Sequence, residues 1–405
     1  MFQRLRLSMA TRRRSRAHRR IPGIAVVSLC LVASAASAGA DPATCAPPAA
    51  LGDDWQLGSA ADVQVDATAL CSVLRSVSER PDNIHALLIA RRGRLIAELY
   101  RSGPDRSMYS LFARDRKFGP GDRHDLRSIS KSVVGLLVGI AVQRGVLSLA
   151  SPVLDFYPEY PDLRDQEHDR ITLEHLLTMS SGLAWRESVA TYGGFANDET
   201  RLFWDLSPAH YVLSRPIAAP AGRQFNYNGG GTTVVADVVT RSAKVPLREF
   251  ARTSLFEPLG ITDWEWVGDL YGRPAAFAGL RLKPRDLLKI GRMMLDNGRW
   301  HGRQIVPPEW VAQSLRPHIA TGSGLGYGYF WWTGNVPWQG TQVPWGAAFG
   351  NGGQRLFVVP TLDLTVAMTA GAYNDARIAA TAMGIFEQVV AAVQPRQPTD
   401  ADAAR

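Results

Sequence analysis

Two short apolar runs around a polar, glycine-containing turn, HALLIA-RRGR-LIAELY from His85 to Tyr100, predict a β-hairpin. The run VVGLLVGIAV (Val133 to Val142) has no polar face. It predicts an interior helix that opens at the serines of RSISKS (Arg127 to Ser132) and closes near Arg144-Gly145, with glycine as C-cap. From Ser151 to about Phe277 the pattern is mostly helical between Gly/Pro-rich loops, with ITLEHLLTM and TTVVADVVTRSA the clearest helices. KPRDLLKIGRMML places Pro284 just inside a helix and Leu287, Gly291, Met294 and Leu295 on one face. From Tyr327 onward the pattern turns strand-like in YGYFWWTG, GQRLFVV and LDLTVAMTAG, the last two joined at Pro360-Thr361. A helix from about Asp375 to Val393 follows.

Strands at both ends with helices between them predict an α/β (α+β) fold. An antiparallel sheet is built from the N- and C-terminal segments and flanked by helices, and a mainly helical subdomain is inserted. The expected division is 41–83 as an N-terminal extension, 84–127 plus 278–395 as the α/β subdomain, 128–277 as the helical subdomain and 396–405 as a flexible tail.

Composition, 46% hydrophobic and 20% charged over 405 residues, supports a large core and excludes disorder for most of the chain. The formal charge of +8 does not mark a nucleic-acid surface, because residues 1–20 hold 8 arginines and no acid. Residues 21–40 are uncharged and end in small residues. Together, 1–40 read as a cleavable export signal, which implies a periplasmic or secreted product with no stable membrane anchor after cleavage. Removing Cys30 with the signal leaves Cys45 and Cys71, a possible disulfide in an oxidising compartment. No Cys/His spacing suggests a metal site, and no cofactor is expected.

RSISKS carries the chemistry. A serine opening a helix is ordinarily a cap, and a capping box wants Glu or Gln three residues later. Here that residue is Lys131, a cation facing the positive end of the helix dipole at a cost of roughly 0.3–1 kcal/mol. Residues three apart share a helical face, so the Lys131 amine can sit beside the Ser128 hydroxyl. Burial and the dipole favour the neutral amine, which can take a proton from serine, and the helix end stabilises an oxyanion. Tyr227, in the glycine-rich FNYNGG, and Asn351-Gly352-Gly353-Gln354, at the start of a strand, supply two further candidate loops. His124 and Asp125 lie close to Ser128 in sequence, but a Ser-His-Asp triad is recognised by geometry rather than proximity.

Ser128-Ile129-Ser130-Lys131, Tyr227-Asn228 and Asn351-Gly352-Gly353, in that order, resemble the three motifs of the serine β-lactamase and penicillin-binding protein superfamily. HLLTMSSGLAW and GNGGQRLFVVPTLDLTVAMTAG are similar to its class C-like esterase and amidase branch, which includes the 6-aminohexanoate-dimer hydrolases. The resemblance implies Ser128 as nucleophile, Lys131 as its proton acceptor and Tyr227 as proton shuttle, with the backbone N–H groups of Ser128 and Gln354 holding the oxyanion. Gly353, Asn351, Asn228, Tyr192 and Trp185 are the candidate substrate contacts. The third motif departs from true β-lactamases, since a neutral Asn351 replaces the lysine that attracts a substrate carboxylate. The expected function is an exported serine hydrolase cleaving a small-molecule ester or amide or a short peptide, without nucleic acid and in an oligomeric state the sequence does not define. The alternatives are a β-lactamase or D-Ala-D-Ala carboxypeptidase and, in another class, a non-catalytic binding relative.

Overall fold

A computed structural model describes residues 45–188 and 192–395; the expected export signal and the tail lie outside the described residues. Nine strands form the main sheet: β1 (Gln56–Leu57), β2 (Ile84–Arg91), β3 (Arg94–Tyr100), β4 (Ile319–Ala320), β5 (Gly326–Tyr327), β6 (Trp332–Trp338), β7 (Thr341–Gly350), β8 (Gln354–Val359) and β9 (Leu364–Ala370). Their order is β1-β3-β2-β9-β8-β7-β6-β5-β4. All pairs are antiparallel except the edge pair β1–β3. The chain's two ends meet at β2–β9, whose register pairs Leu88 with Ala367.

Alternation along the strands creates two cores. Ala86, Leu88 and Ala90 face one layer, which contains α2 (Ile129–Gln143), α3 (Gly229–Ala243) and α4 (Pro284–Leu295). Leu87 and Ile89 face the other, which contains α1 (Ala67–Glu79) and α5 (Arg377–Ala391). Helix α2 has no polar face because it is enclosed all round: every residue from Ile129 to Ala141 is buried.

Two strand expectations change. β7 carries the edge of the cleft, yet TQVPWGAAFG mixes glycine, proline and alanine too freely to show a period of two. YGYFWWTG is not one strand, because Phe330 adopts φ +61°, and its N–H donates to the Leu177 carbonyl, so the chain breaks between β5 and β6.

Cys45 and Cys71 form a disulfide with Cα atoms 5.4 Å apart, tying the start of the N-terminal extension to α1 within it. Arg285 of α4, buried, extends the same attachment through bonds to Glu98 and Asp53. Opening the cross-link releases a loop of sequence separation 26. The Cys45→Ser/Cys71→Ser double variant is expected to lose about 2–4 kcal/mol of stability, read as a lower denaturation midpoint, while still hydrolysing substrate at room temperature.

Candidate active site

Ser128 occupies the N-cap position of α2, but its side chain makes no capping bond. Its neighbours do the structural work. Ser130 Oγ donates to the Arg127 carbonyl and accepts from Leu280 N–H, and Ser132 Oγ donates to the Phe330 carbonyl. Arg127, just before Ser128, is held at φ +52°, a strained conformation for a residue with a side chain. Its guanidinium is fixed over the Tyr373 ring at 4.3 Å and donates to the Arg106 carbonyl.

Lys131 Nζ turns back to 3.1 Å from Ser128 Oγ and donates to the Phe277 carbonyl at 2.9 Å. The side chain is 1% exposed. Tyr227 hydrogen-bonds Ser128, and its ring lies 4.9 Å from Nζ. Burial, then the charge of Glu187, push the Tyr227 phenol well above its usual range, and the bond to Ser128 opposes them.

Two carboxyl groups that the motifs did not reveal enclose the lysine. Glu187 Oε1 lies 3.8 Å and Glu199 Oε2 3.6 Å from Nζ, with side chains 0% and 8% exposed. Glu187 accepts from Trp185 Nε1, the Tyr192 hydroxyl and Gly229 N–H, three donors that compensate a buried charge. A Cβ at Gly229 would sit 2.6 Å from Glu199 Oε2, so this close approach requires glycine. Burial, then the charge of Glu187, push Glu199 well above the carboxylate range, partly opposed by Lys131. This direction favours the neutral acid for Glu199 beside Glu187.

The expected site residues divide. Ser128, Tyr192 and Asn351 border both of two adjoining cavities, of about 550 and 260 Å³. Tyr227, Gly353 and Arg355 line the smaller one, Met108, Phe203 and Trp204 the larger. A separate hollow of about 500 Å³ borders none of Ser128, Lys131 and Tyr227.

The Gln354 side chain is fully buried at the start of β8, its amide bonded to the backbone of Ala370, so the role expected of this residue falls to its backbone N–H alone. Two expectations are corrected. Asn228 is buried and caps α3 by accepting from Gly231 N–H. Trp185 is buried and positions Glu187 rather than bordering the cleft. Nor does His124 form a triad with Ser128: its Nε2 meets His85 and its Nδ1 the Asp125 carbonyl.

The model of the Beta-lactamase family matches residues 85–388. The 6-aminohexanoate-dimer hydrolase of Paenarthrobacter ureafaciens is 29% identical over 295 residues, covering 70% of this chain and 67% of that protein. Esterase EstB of Burkholderia gladioli is 29% identical over 227 residues, covering 53% and 57%. A class C beta-lactamase from Rhodobacter sphaeroides superposes with TM-score 0.57 at 16% identity, over 78% of this chain and 98% of that one, a likeness of fold.

A carboxyl group raised in the folded state favours folding only while protonated. Stability linked to Glu199 is complete below its unfolded value, about 4.3, and is lost as pH rises toward the raised folded value. Glu199→Gln, which mimics the neutral acid, is expected to raise the thermal midpoint at pH 7 and to leave it unchanged at pH 4. Thermal melts at both pH values check this.

Proposed function

The chain belongs to the beta-lactamase family, and within it we propose a serine hydrolase that cleaves ester or small amide bonds through an acyl-enzyme on Ser128. The observation that carries this reading is the uncapped Ser128 hydroxyl, 3.1 Å from a buried amine, at the floor of a cleft. Relatives named as a dimer hydrolase and an esterase support the same reaction class.

As Ser128 Oγ attacks the substrate carbonyl, its proton passes to the Lys131 amine. The ammonium that forms faces Glu187 at 3.8 Å and Glu199 at 3.6 Å. The oxyanion is received by the backbone N–H groups of Ser128 and Asn351. Both residues border the cleft. The Asn351 side chain is locked in a reciprocal pair with Asn374, which fixes the turn that presents this N–H. A Cβ at Gly350 would lie 2.3 Å from the Leu126 carbonyl, so β7 can approach the start of α2 only with glycine there. Tyr227 then delivers a proton to the departing alcohol or amine and regains one from the Lys131 ammonium; water attacks the acyl group in the leaving group's place, giving a proton to the same pair, which returns one to Ser128 Oγ as the acid departs.

A second reading, a β-lactamase or D-Ala-D-Ala carboxypeptidase, is favoured by Arg355. Its guanidinium lies over the Phe349 ring at 4.5 Å, lines the smaller cavity and has no carboxylate partner among the described residues. Burial pushes it down to about 10. It donates to the Gly350 and Gln354 carbonyls, and a substrate carboxylate would supply the counter-charge it lacks. Export is proposed from the basic-then-apolar residues 1–40, and the disulfide fits an oxidising compartment.

Ser128→Ala is expected to lower kcat/KM for p-nitrophenyl acetate by about 10³-fold or more; comparable turnover by the variant would refute the nucleophile. Arg355→Ala, assayed with nitrocefin, p-nitrophenyl acetate and a linear amide, separates the readings. A loss confined to nitrocefin supports the second.

A further inference from the structure

Ten large apolar side chains are exposed among the described residues, and eight of them lie in segments 109–112, 195–206 and 270–271. Four of these, Tyr109, Leu111, Trp204 and Leu270, line the larger cavity together with Ser128. Phe195, 92% exposed, packs its ring 6.1 Å from Trp204, and Leu111 and Leu270 are 84% and 75% exposed. Apolar surface gathered at one place on a chain that hides it elsewhere marks a binding site. This surface is continuous with the cavity whose floor holds the nucleophile. We propose that the larger lobe binds the apolar chain of a medium- or long-chain ester, with the chain running from Ser128 outward over the rim. This rests on the serine hydrolase reading. Each methylene moved from water onto such a surface adds favourable burial. kcat/KM for p-nitrophenyl esters is therefore expected to rise at least about tenfold from acetate to octanoate, and Leu111→Ser/Leu270→Ser to lower the octanoate-to-acetate ratio about tenfold. A flat or falling series in the wild type, or a double variant with an unchanged ratio, overturns the lobe assignment alone. A folded protein that hydrolyses no ester in the series overturns the hydrolase reading as well.

Behind the nucleophile, four short contacts form one chain between two carbonyl oxygens. Asn83 Nδ2 meets the Pro104 carbonyl at 2.6 Å and Asn83 Oδ1 meets His85 Nε2 at 2.8 Å. His85 Nδ1 meets His124 Nε2 at 2.8 Å, and His124 Nδ1 meets the Asp125 carbonyl at 3.0 Å. Each contact needs one proton. The carbonyls supply none, the amide serves one of its two contacts, and each neutral imidazole serves one. Three protons thus serve four contacts, whichever tautomers or amide orientation are chosen.

We infer that His85 and His124 share one additional proton, forming a buried imidazole–imidazolium pair opposite the Asp105 carboxylate. Asp105 Oδ1 lies 3.9 Å from His124 Nε2 with both side chains buried. Ligand atoms of the three residues lie within 4.8 Å of one another, as in a metal triad. The ring geometry opposes that reading. The centroids are 5.1 Å apart, which the 2.8 Å contact plus one ring radius at each end already accounts for, so the rings meet head-on. A metal needs lone pairs that converge on a point about 2.0–2.1 Å from each nitrogen. Burial, the largest cause, pushes both imidazoles down, and Arg101, Arg116 and Arg127 act in the same direction; with all these charges and Asp105 together, His85 is pushed down to about 3. Asp105, Asp125 and the contact a neutral pair would leave unmade act against it. Tyr373 donates to Asp105 Oδ1, and Arg116 pairs with Oδ2. The shared proton ties β2 to the strand His124–Asp125, which leads directly into Ser128.

Two-bond ¹H–¹⁵N correlation spectra of the ¹⁵N-histidine-labelled chain at pH 7, assigned with His85→Gln, are expected to show one exchange-protected, low-field proton coupled to both rings. Asp105→Asn is expected to shift its loss to lower pH by about one unit or more. Two neutral rings with a proton-free nitrogen in each and no bridging signal, or stoichiometric metal whose chelation changes these signals, overturns the proposal.

Discussion

A buried amine held against a hydroxyl is the constraint around which the rest of the structure is arranged. Lys131 at the first turn of α2 is unfavourable for the helix, and its burial would be more so without compensation. The compensation comes from the Phe277 carbonyl, the Tyr227 ring and the Glu187–Glu199 pair. Within the pair, burial and the charge of Glu187 favour the neutral form of Glu199, which limits the negative charge set against the amine.

The fold brings these groups from five distant segments to one point. Helix α2 supplies the hydroxyl and the amine, the start of α3 supplies Tyr227, and the loop at 187 and the short helix Asp198–Arg201 supply the carboxyl pair. The turn between β7 and β8 supplies Asn351. The nine-stranded sheet fixes that turn against α2, with Gly350 allowing the closest approach. On the far side of Ser128, the histidine chain and the Asp125 ion pairs with Arg127 and Arg281 hold the incoming strand.

Elements with strong periodicity were legible in the sequence: the β2–β3 hairpin, α2, α4, β8, β9 and α5 all lie within a few residues of their expected bounds. β7 was not, because its small residues serve close packing rather than alternation. Ser128 and Lys131 were legible because three-residue spacing on a helix is a local rule. Glu187 and Glu199 were not, since their meeting with Lys131 depends on tertiary assembly and no local spacing encodes it. Their only sequence signal was two acids within a loop that also carries Trp185 and Tyr192. Gln354 was assigned by counting along a motif, and the fold buries its side chain while Asn351, three residues earlier, borders the cleft. Asn228 and Trp185 lie next to the chemistry in sequence but serve as a cap and a positioning group.

The most direct measurement is the rate and location of covalent adduct formation with a fluorophosphonate, followed by intact mass and peptide mapping in the wild type and in Lys131→Ala. The account predicts a single adduct on the peptide containing Ser128, formed at least about 10²-fold more slowly without the amine. An adduct on another residue, or an equal rate in the two proteins, would contradict it.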